Sequence, residues 1–447
     1  MPDIDLGKAF ARLEAATPRR ESGRVTEVTG LVIRASVPGV RIGEMVNISL
    51  ALPGGTPRPD APPLRAECVG FRGDEIVLMP LGDAAGIGPD SLVTPTSRPL
   101  SIAVSDRLLG RVLDGLGNPI DGGGPIDGAD AREWAVDRPA PDPLSRPRVS
   151  RPLPLGVRVL DALLTVGEGQ RVGIFAGSGV GKSTLMGQIA RQTEADVNVI
   201  ALVGERGREV VDFLEESLGP TGRARSVVVC ATSDAPSLVR LKAAFVATAV
   251  AEYFRDQGRR VLFMLDSITR TARAQREVGL AAGEPPARQG YPPSVFALLP
   301  RLLERTGTNA RGSITALYTV LVAGGDMEEP IADEVRGILD GHVILSRDIA
   351  ARNQWPAVDV LPSLSRLMTA VADPEHRAAA ARLRELLAAY ERQRDLILLG
   401  AYQRGADPLT DRAIAAMDAI TAFLRQRTDE TAPFEQTKAR LRALTTD

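Results

Sequence analysis

Ala176-Gly177-Ser178-Gly179-Val180-Gly181-Lys182-Ser183, followed by Thr184, has the residue types and the spacing to hold a chain of phosphates. Glycines let successive backbone N–H groups close around phosphate oxygens, and a helix starting at the end of the run turns its positive end toward the same anion. Lys182 adds a mobile cation that reaches the β- and γ-phosphates, and the Ser183 hydroxyl is a magnesium ligand in waiting. Ala176 stands where the first glycine of this pattern is usual. The plainer reading, a glycine-rich turn in any βα unit, loses weight because the apolar run Val172–Ala176 before it and the Leu185/Ile189 pair after it supply the strand and helix the chemistry needs.

Binding becomes hydrolysis only when one group orients water and another holds the metal. Val261–Leu265 is an apolar run ending in Asp266, the strand-then-acid pattern of a magnesium-holding aspartate, although an aspartate there could also cap the next helix. Val197–Val203 ends in Gly204-Glu205-Arg206-Gly207-Arg208-Glu209, two carboxylates and two guanidiniums at one strand end. Ligands of open α/β sheets gather at the carboxyl ends of strands. Glu205 is therefore the candidate to polarise the attacking water and Glu209 the candidate to support the magnesium shell.

The elements that must position these groups can be read from periodicity. Apolar strand-length runs at 197–203, 226–230, 261–265, 314–321 and 343–345 alternate with helical patterns, which predicts a mainly parallel sheet covered by helices, an α/β domain over residues 98–370. Before it, residues 24–97 carry short β-rich runs separated by Gly and Pro, predicting a small antiparallel barrel or sandwich. Residues 108–122 are dense in turn formers and residues 139–154 are Pro-rich, so both read as connections. Beyond Met368 the strands stop; 378–399 and 412–427 have helical spacing, predicting a helical C-terminal domain over 371–447. Leu6, Phe10 and Leu13 make a short amphipathic helix within residues 1–23, suited to folding back or to docking on a partner.

Composition sets limits. The chain of 447 residues, 44% apolar and 25% charged, is long enough for two or three domains with cores. A net charge of −2 gives no basic field, and Phe71 is the only aromatic of the barrel region, so nucleic acid is not an expected partner. Cys68 and Cys230 sit in apolar runs and read as buried thiols of a reducing compartment. The N-terminus lacks the pattern of a cleaved signal, and with no apolar run of membrane-spanning length any membrane association is expected to be peripheral.

With Pro356-Ala357-Val358-Asp359 and the Ser363-Leu364-Ser365 that follows, these motifs together resemble the rotary ATPase α/β family over about residues 25–370. The resemblance implies a RecA-like P-loop NTPase core with an N-terminal β-barrel and a C-terminal helical domain, working as a homo-hexamer on ATP with Mg2+. Within the family the chain is most similar to the flagellar and type III secretion ATPases, through its Gly-Lys-Ser loop, Gly283-Glu284-Pro285-Pro286, Ile338-Leu339-Asp340-Gly341-His342 and Tyr402-Gln403-Arg404-Gly405. By that resemblance Lys182 binds the β- and γ-phosphates, Ser183 and Asp266 hold magnesium, and Glu205 is the catalytic carboxylate with Arg206 beside it. Arg366 matches the arginine finger that reaches a neighbour's site, and Trp355 stands where a tyrosine usually stacks on adenine.

The expected function is the ATPase of a flagellar protein export apparatus, cytoplasmic and peripheral to the inner membrane. Implied partners are a stator protein at residues 1–20, the export gate, a stalk protein and chaperone-substrate complexes. The alternatives are the ATPase of a virulence type III secretion system, a catalytic ATP synthase subunit, and a nonhydrolysing ring subunit, which in this family usually carries an amide where Glu205 stands.

Overall fold

The computed structural model describes residues 21–52, 56–57 and 62–446, so the helix expected near the N-terminus lies outside the described residues. They form two compact units that divide after Leu100.

In the first unit six strands, β1 (Gly23–Thr29), β2 (Val32–Ser36), β3 (Glu44–Ser49), β4 (Leu64–Arg72), β5 (Glu75–Pro80) and β6 (Leu92–Pro99), close a barrel in the order β1-β2-β5-β4-β3-β6. Every pairing is antiparallel. Side chains alternate, so Ile33, Ile48, Ala66, Leu78 and Val93 point inward and are buried. The apolar stretch from Val25 to Ser36 is a hairpin, folded where Gly30 takes a φ of +59° that a side chain would resist. Closure leaves no free sheet edge, which decides between barrel and sandwich.

The second unit is built on a sheet with the order β7-β10-β9-β11-β12-β8-β13-β14. Its strands are β7 (Val112–Asp114), β8 (Arg171–Ala176), β9 (Val197–Val203), β10 (Ser226–Ala231), β11 (Arg260–Asp266), β12 (Ser313–Leu321), β13 (Gly341–Leu345) and β14 (Val358–Ser365). All neighbours along this path run parallel except β14, which returns antiparallel along β13. Every residue of β9 is buried, as is all of β11 after Arg260, the signature of strands covered on both faces.

Two edges differ from the sequence reading. Residues 112–114 are the edge strand β7, not part of a connection, with Val112 opposite Val228 and Asp114 opposite Cys230. A three-residue strand is too short to show a period; its place is fixed by Asp121, whose carboxylate accepts from Val112 N at 2.9 Å and from Arg111 Nε at 2.8 Å. At the other edge, β14 was not anticipated as a strand, because Pro362 and its half-exposed residues blur the alternation.

The helices that matter for the site are α1 (Arg158–Leu163), α2 (Lys182–Gln192), α3 (Gly207–Asp212), α4 (Ser237–Asp256), α5 (Ile268–Ala282), α6 (Pro374–Leu398), α7 (Pro408–Leu424) and α8 (Phe434–Thr445). The apolar run within α4 is core: it is buried almost throughout, and its Glu252 is held by Arg305 at 2.8 Å. Among the described residues no helix is long and apolar enough to cross a membrane.

Leu383 of α6, Ile420 and Phe423 of α7 and Leu441 of α8 belong to one buried cluster with Leu155 and Leu160. Each such side chain removed from water contributes roughly 1.5–3 kcal/mol, enough to fix these helices on the sheet domain. The helix read over 412–427 instead begins at Pro408, where Asp407 accepts from the N–H groups of Leu409 and Thr410, and stops at Leu424. Residues 425–430 leave it as a loop, and α8 beyond them falls within the helical domain expected over 371–447, although no helical run had been picked out there.

Candidate active site

Register brings the carboxyl ends of the central strands to one edge: Ala176 lies level with Leu321 and Leu345, and Leu202 with Asp266. The glycine-rich turn therefore opens beside Glu205 and Asp266. Ala176 closes β8 in the core, Val180 anchors the turn as a buried side chain, and Ser178, Gly179, Ser183 and Thr184 stay exposed. Gly181 precedes α2 with φ +81°, and a Cβ there would stand 2.7 Å from the Trp355 ring. Gly177 is under the Arg347 guanidinium in the same manner, at 3.0 Å.

The charged groups form one connected set. Lys182 Nζ donates to Asp266 Oδ1 and stands 3.7 Å from Glu205 Oε1. Thr319 on β12 donates its hydroxyl to the same Asp266 oxygen at 2.7 Å. Arg270 on α5 donates to Glu205 Oε2 at 3.2 Å and to the Gly204 carbonyl. Ser267, not Asp266, caps α5, accepting from Arg270 N at 3.2 Å. That leaves the Asp266 carboxylate for the site and disposes of the helix-cap reading.

Glu205 is 8% exposed, and its Oε1 is buried without a hydrogen-bond donor. Burial, then the hydrogen bond shared with Glu209, then the Asp266 charge push its carboxyl up to about 7, against the pull of Lys182 and Arg270. Glu209 moves the other way: the hydrogen bond from Glu205 holds it below the ordinary carboxylate range. The two carboxyls are thus pushed apart in acidity, Glu205 the weaker acid of the pair.

At the base end a cleft of ≈ 1000 Å3 is walled by Gly181, Gln188, Trp355 and the segment Arg425–Glu430. Trp355 is 38% exposed, and its Nε1 donates to Asn353 Oδ1 at 3.0 Å. An exposed indole face over the phosphate turn is a surface on which a flat base can stack.

Of the residues singled out from sequence, Lys182, Glu205, Glu209 and Asp266 meet at the phosphate turn and Trp355 overlooks it. Two stand apart. The Arg206 side chain is 80% exposed, with Nε 3.9 Å from Glu209. Arg366 is exposed and follows Ser365, which pairs with Gly341 at the opposite end of the sheet, about 13 Å from the phosphate edge at some 3.3 Å per strand residue. Arg270, Thr319, Gln188 and the 425–430 segment were missed. Arg270 could have been suspected from its place one turn after the strand-end acid; the others follow from pairings that only the folded chain makes.

Comparison with known proteins agrees with this geometry. Residues 25–97 match the ATP synthase alpha/beta family, beta-barrel domain, residues 156–365 its nucleotide-binding domain, and residues 372–443 the T3SS EscN ATPase C-terminal domain. The type 3 secretion system ATPase of Xanthomonas euvesicatoria is 54% identical over 96% of this chain and 95% of its own length. The flagellum-specific ATP synthase of Bacillus subtilis is 52% identical over 97% of both. The assembled ATPase EscN of enteropathogenic E. coli, solved in complex with its central stalk EscO, is 44% identical with a TM-score of 0.86 over 95% of this chain and 100% of that one. The chain belongs to the ATP synthase alpha/beta family, among its type III secretion and flagellum-specific ATPases.

Proposed function

We propose that this chain hydrolyses ATP to ADP and phosphate as the motor of a type III protein export apparatus, of the flagellar kind. The observation that carries the catalytic part is Glu205, a buried carboxyl with one oxygen free of donors, beside Lys182 and Asp266 at the phosphate turn. In this reading the phosphate chain lies along the turn, Lys182 swings from Asp266 onto the β- and γ-phosphates, and Trp355 stacks on adenine. Arg270 holds Glu205 toward the γ-phosphate, and Glu205, once its proton has gone, accepts one from the attacking water.

Ser183 and Asp266 fit magnesium, because a hydroxyl and a single carboxylate are the hard oxygen donors this ion takes when phosphates and waters complete its shell. Bound there with ATP, magnesium would neutralise charge on the β- and γ-phosphates. Glu209, tied to Glu205, supports the shell from further out.

Arg366 is proposed as the arginine finger of a neighbouring subunit, a role supported by its distance from its own phosphate turn. A ring of six subunits gives every site such a neighbour, and a central stalk and export substrates are the partners this machine requires. Phosphate release should rise faster than linearly with protein concentration and vanish in Glu205→Gln; linear release, or full release by the variant, would remove the reading. A virulence secretion system is the second reading, favoured by the Xanthomonas relative and by the C-terminal match. Restoration of swimming in a strain lacking its flagellar export ATPase distinguishes the two.

A further inference from the structure

The base cleft is closed by a segment the phosphate chemistry does not need. Residues 425–430 are the first part of the link from α7 to α8, yet their polar atoms are tied to the nucleotide domain. Gln188, Arg191 and Gln192 of α2 donate to the carbonyls of Arg427 at 3.3 Å, Thr428 at 3.0 Å and Glu430 at 2.9 Å. Gln426 N donates to the Trp355 carbonyl at 2.9 Å, so the same loop fixes the stacking residue.

One side chain holds this arrangement from behind. Arg158 of α1 is 2% exposed, an unusual place for an arginine. Its Nη1 donates to the carbonyls of Phe423 at 3.0 Å and Arg425 at 2.8 Å, its Nη2 to the Glu430 carboxylate, and its backbone N–H to Gln426 Oε1 at 2.7 Å. Gln426 returns a bond to the Gly156 carbonyl at 2.9 Å. Burial, then the Arg440 guanidinium, pull Arg158 down to about 10, so it remains a cation at neutral pH. A buried cation is kept only where it is fully paired, and here every partner except the Gln426 amide belongs to the two ends of the wall segment or to the turn that enters it.

We infer that Arg158 is a positioning residue for the nucleotide: it fixes Arg425–Glu430 as the outer wall of the base cleft and so sets affinity for ATP without touching the phosphates. The inference rests on the reading that ATP occupies this cleft. Because the wall is part of the link between α7 and α8, a base that seats against it also sets the position of those helices.

The test uses the full chain with Trp134→Phe, which leaves Trp355 as the only indole of the two in the sequence. Emission is titrated with magnesium-ATP alongside steady-state turnover. Arg158→Met should raise half-saturation and KM about tenfold or more, and Glu430→Gln, which keeps the carbonyl bonds, about threefold, with kcat within about twofold of the parent. A merely structural role would lower the melting temperature and kcat together, leaving KM alone.

If Arg158→Met does not fold, Glu430→Gln and Gln188→Ala decide, and unchanged half-saturation in both overturns the inference. A parent that hydrolyses ATP with no change in Trp355 emission overturns instead the placement of the base on which it stands.

Discussion

At the phosphate end of the cleft, Lys182, Glu205 and Asp266 lie within 84 residues of one another, Lys182 at the start of α2 and the two acids at or just past strand ends, with side chains no more than 13% exposed. At the base end the contacts join residues up to 272 apart in the chain, Trp355 is half-open, and the wall is tied to α2 through its main-chain carbonyls. Charges in the first region are held by neighbours of opposite sign before any ligand arrives, which suits electrostatic stabilisation of a transition state. The second region offers a flat face and a tethered loop, which suits affinity and the relay of occupancy to the C-terminal helices. Chemistry and binding should therefore be separable by mutation.

The largest effect tests the phosphate end. Glu205→Gln, and Arg366→Ala in the proposed ring, should each cut kcat by about 10³-fold or more while ATP still quenches Trp355. Lost quenching in either would mean that the two ends are not separable. Next comes the base end: Trp355→Ala should weaken ATP binding about 5- to 150-fold, the equivalent of about 1–3 kcal/mol of stacking, with kcat nearly kept and Trp355→Tyr restoring affinity. Equal loss for Tyr and Ala would remove stacking as the cause.

The pH profile sharpens the comparison further. The Glu205 carboxyl is raised to about 7 by burial first, so the carboxylate that the proposed reaction uses as proton acceptor dominates above that pH and is lost below it. Values of kcat/KM should fall about tenfold per unit below pH 7, whereas ATP binding at the Trp355 end should not follow. The stability sign is opposite: the raised pKa makes Glu205 most favourable to the fold below about 4.5 and progressively less so up to about 7, and Glu205→Gln should flatten that slope in thermal unfolding. The smallest effect belongs to Thr319→Val, which removes one hydrogen bond to Asp266 and should cost about 0.5–1.5 kcal/mol, a few-fold in turnover. No change would make Thr319 a packing residue only.

The same division governs what could be read from the sequence. Glycines before Lys182 and acids after apolar runs are local signals, because the backbone conformation and the strand end they require are made by adjacent residues. The barrel and the parallel sheet were legible for the same reason. Strand β7 was not, since three residues held by Asp121 carry no period. Nor was the 425–430 wall, where helical spacing suggested that α7 continues while tertiary bonds to Arg158 and α2 turn the chain into the cleft. Trp355 was reached through a family resemblance; the contact with Gly181 that gives it meaning spans 174 residues of chain and exists only in the fold.

The central claim is that one subunit supplies the phosphate end and its neighbour the finger. The most direct measurement mixes two inactive proteins, Glu205→Gln and Arg366→Ala, at equal concentration and follows phosphate release. The account predicts recovery: in a randomly mixed ring about a quarter of the interfaces pair an intact Glu205 with an intact Arg366. A mixture as inactive as either variant alone, under conditions where the parent assembles, would contradict it.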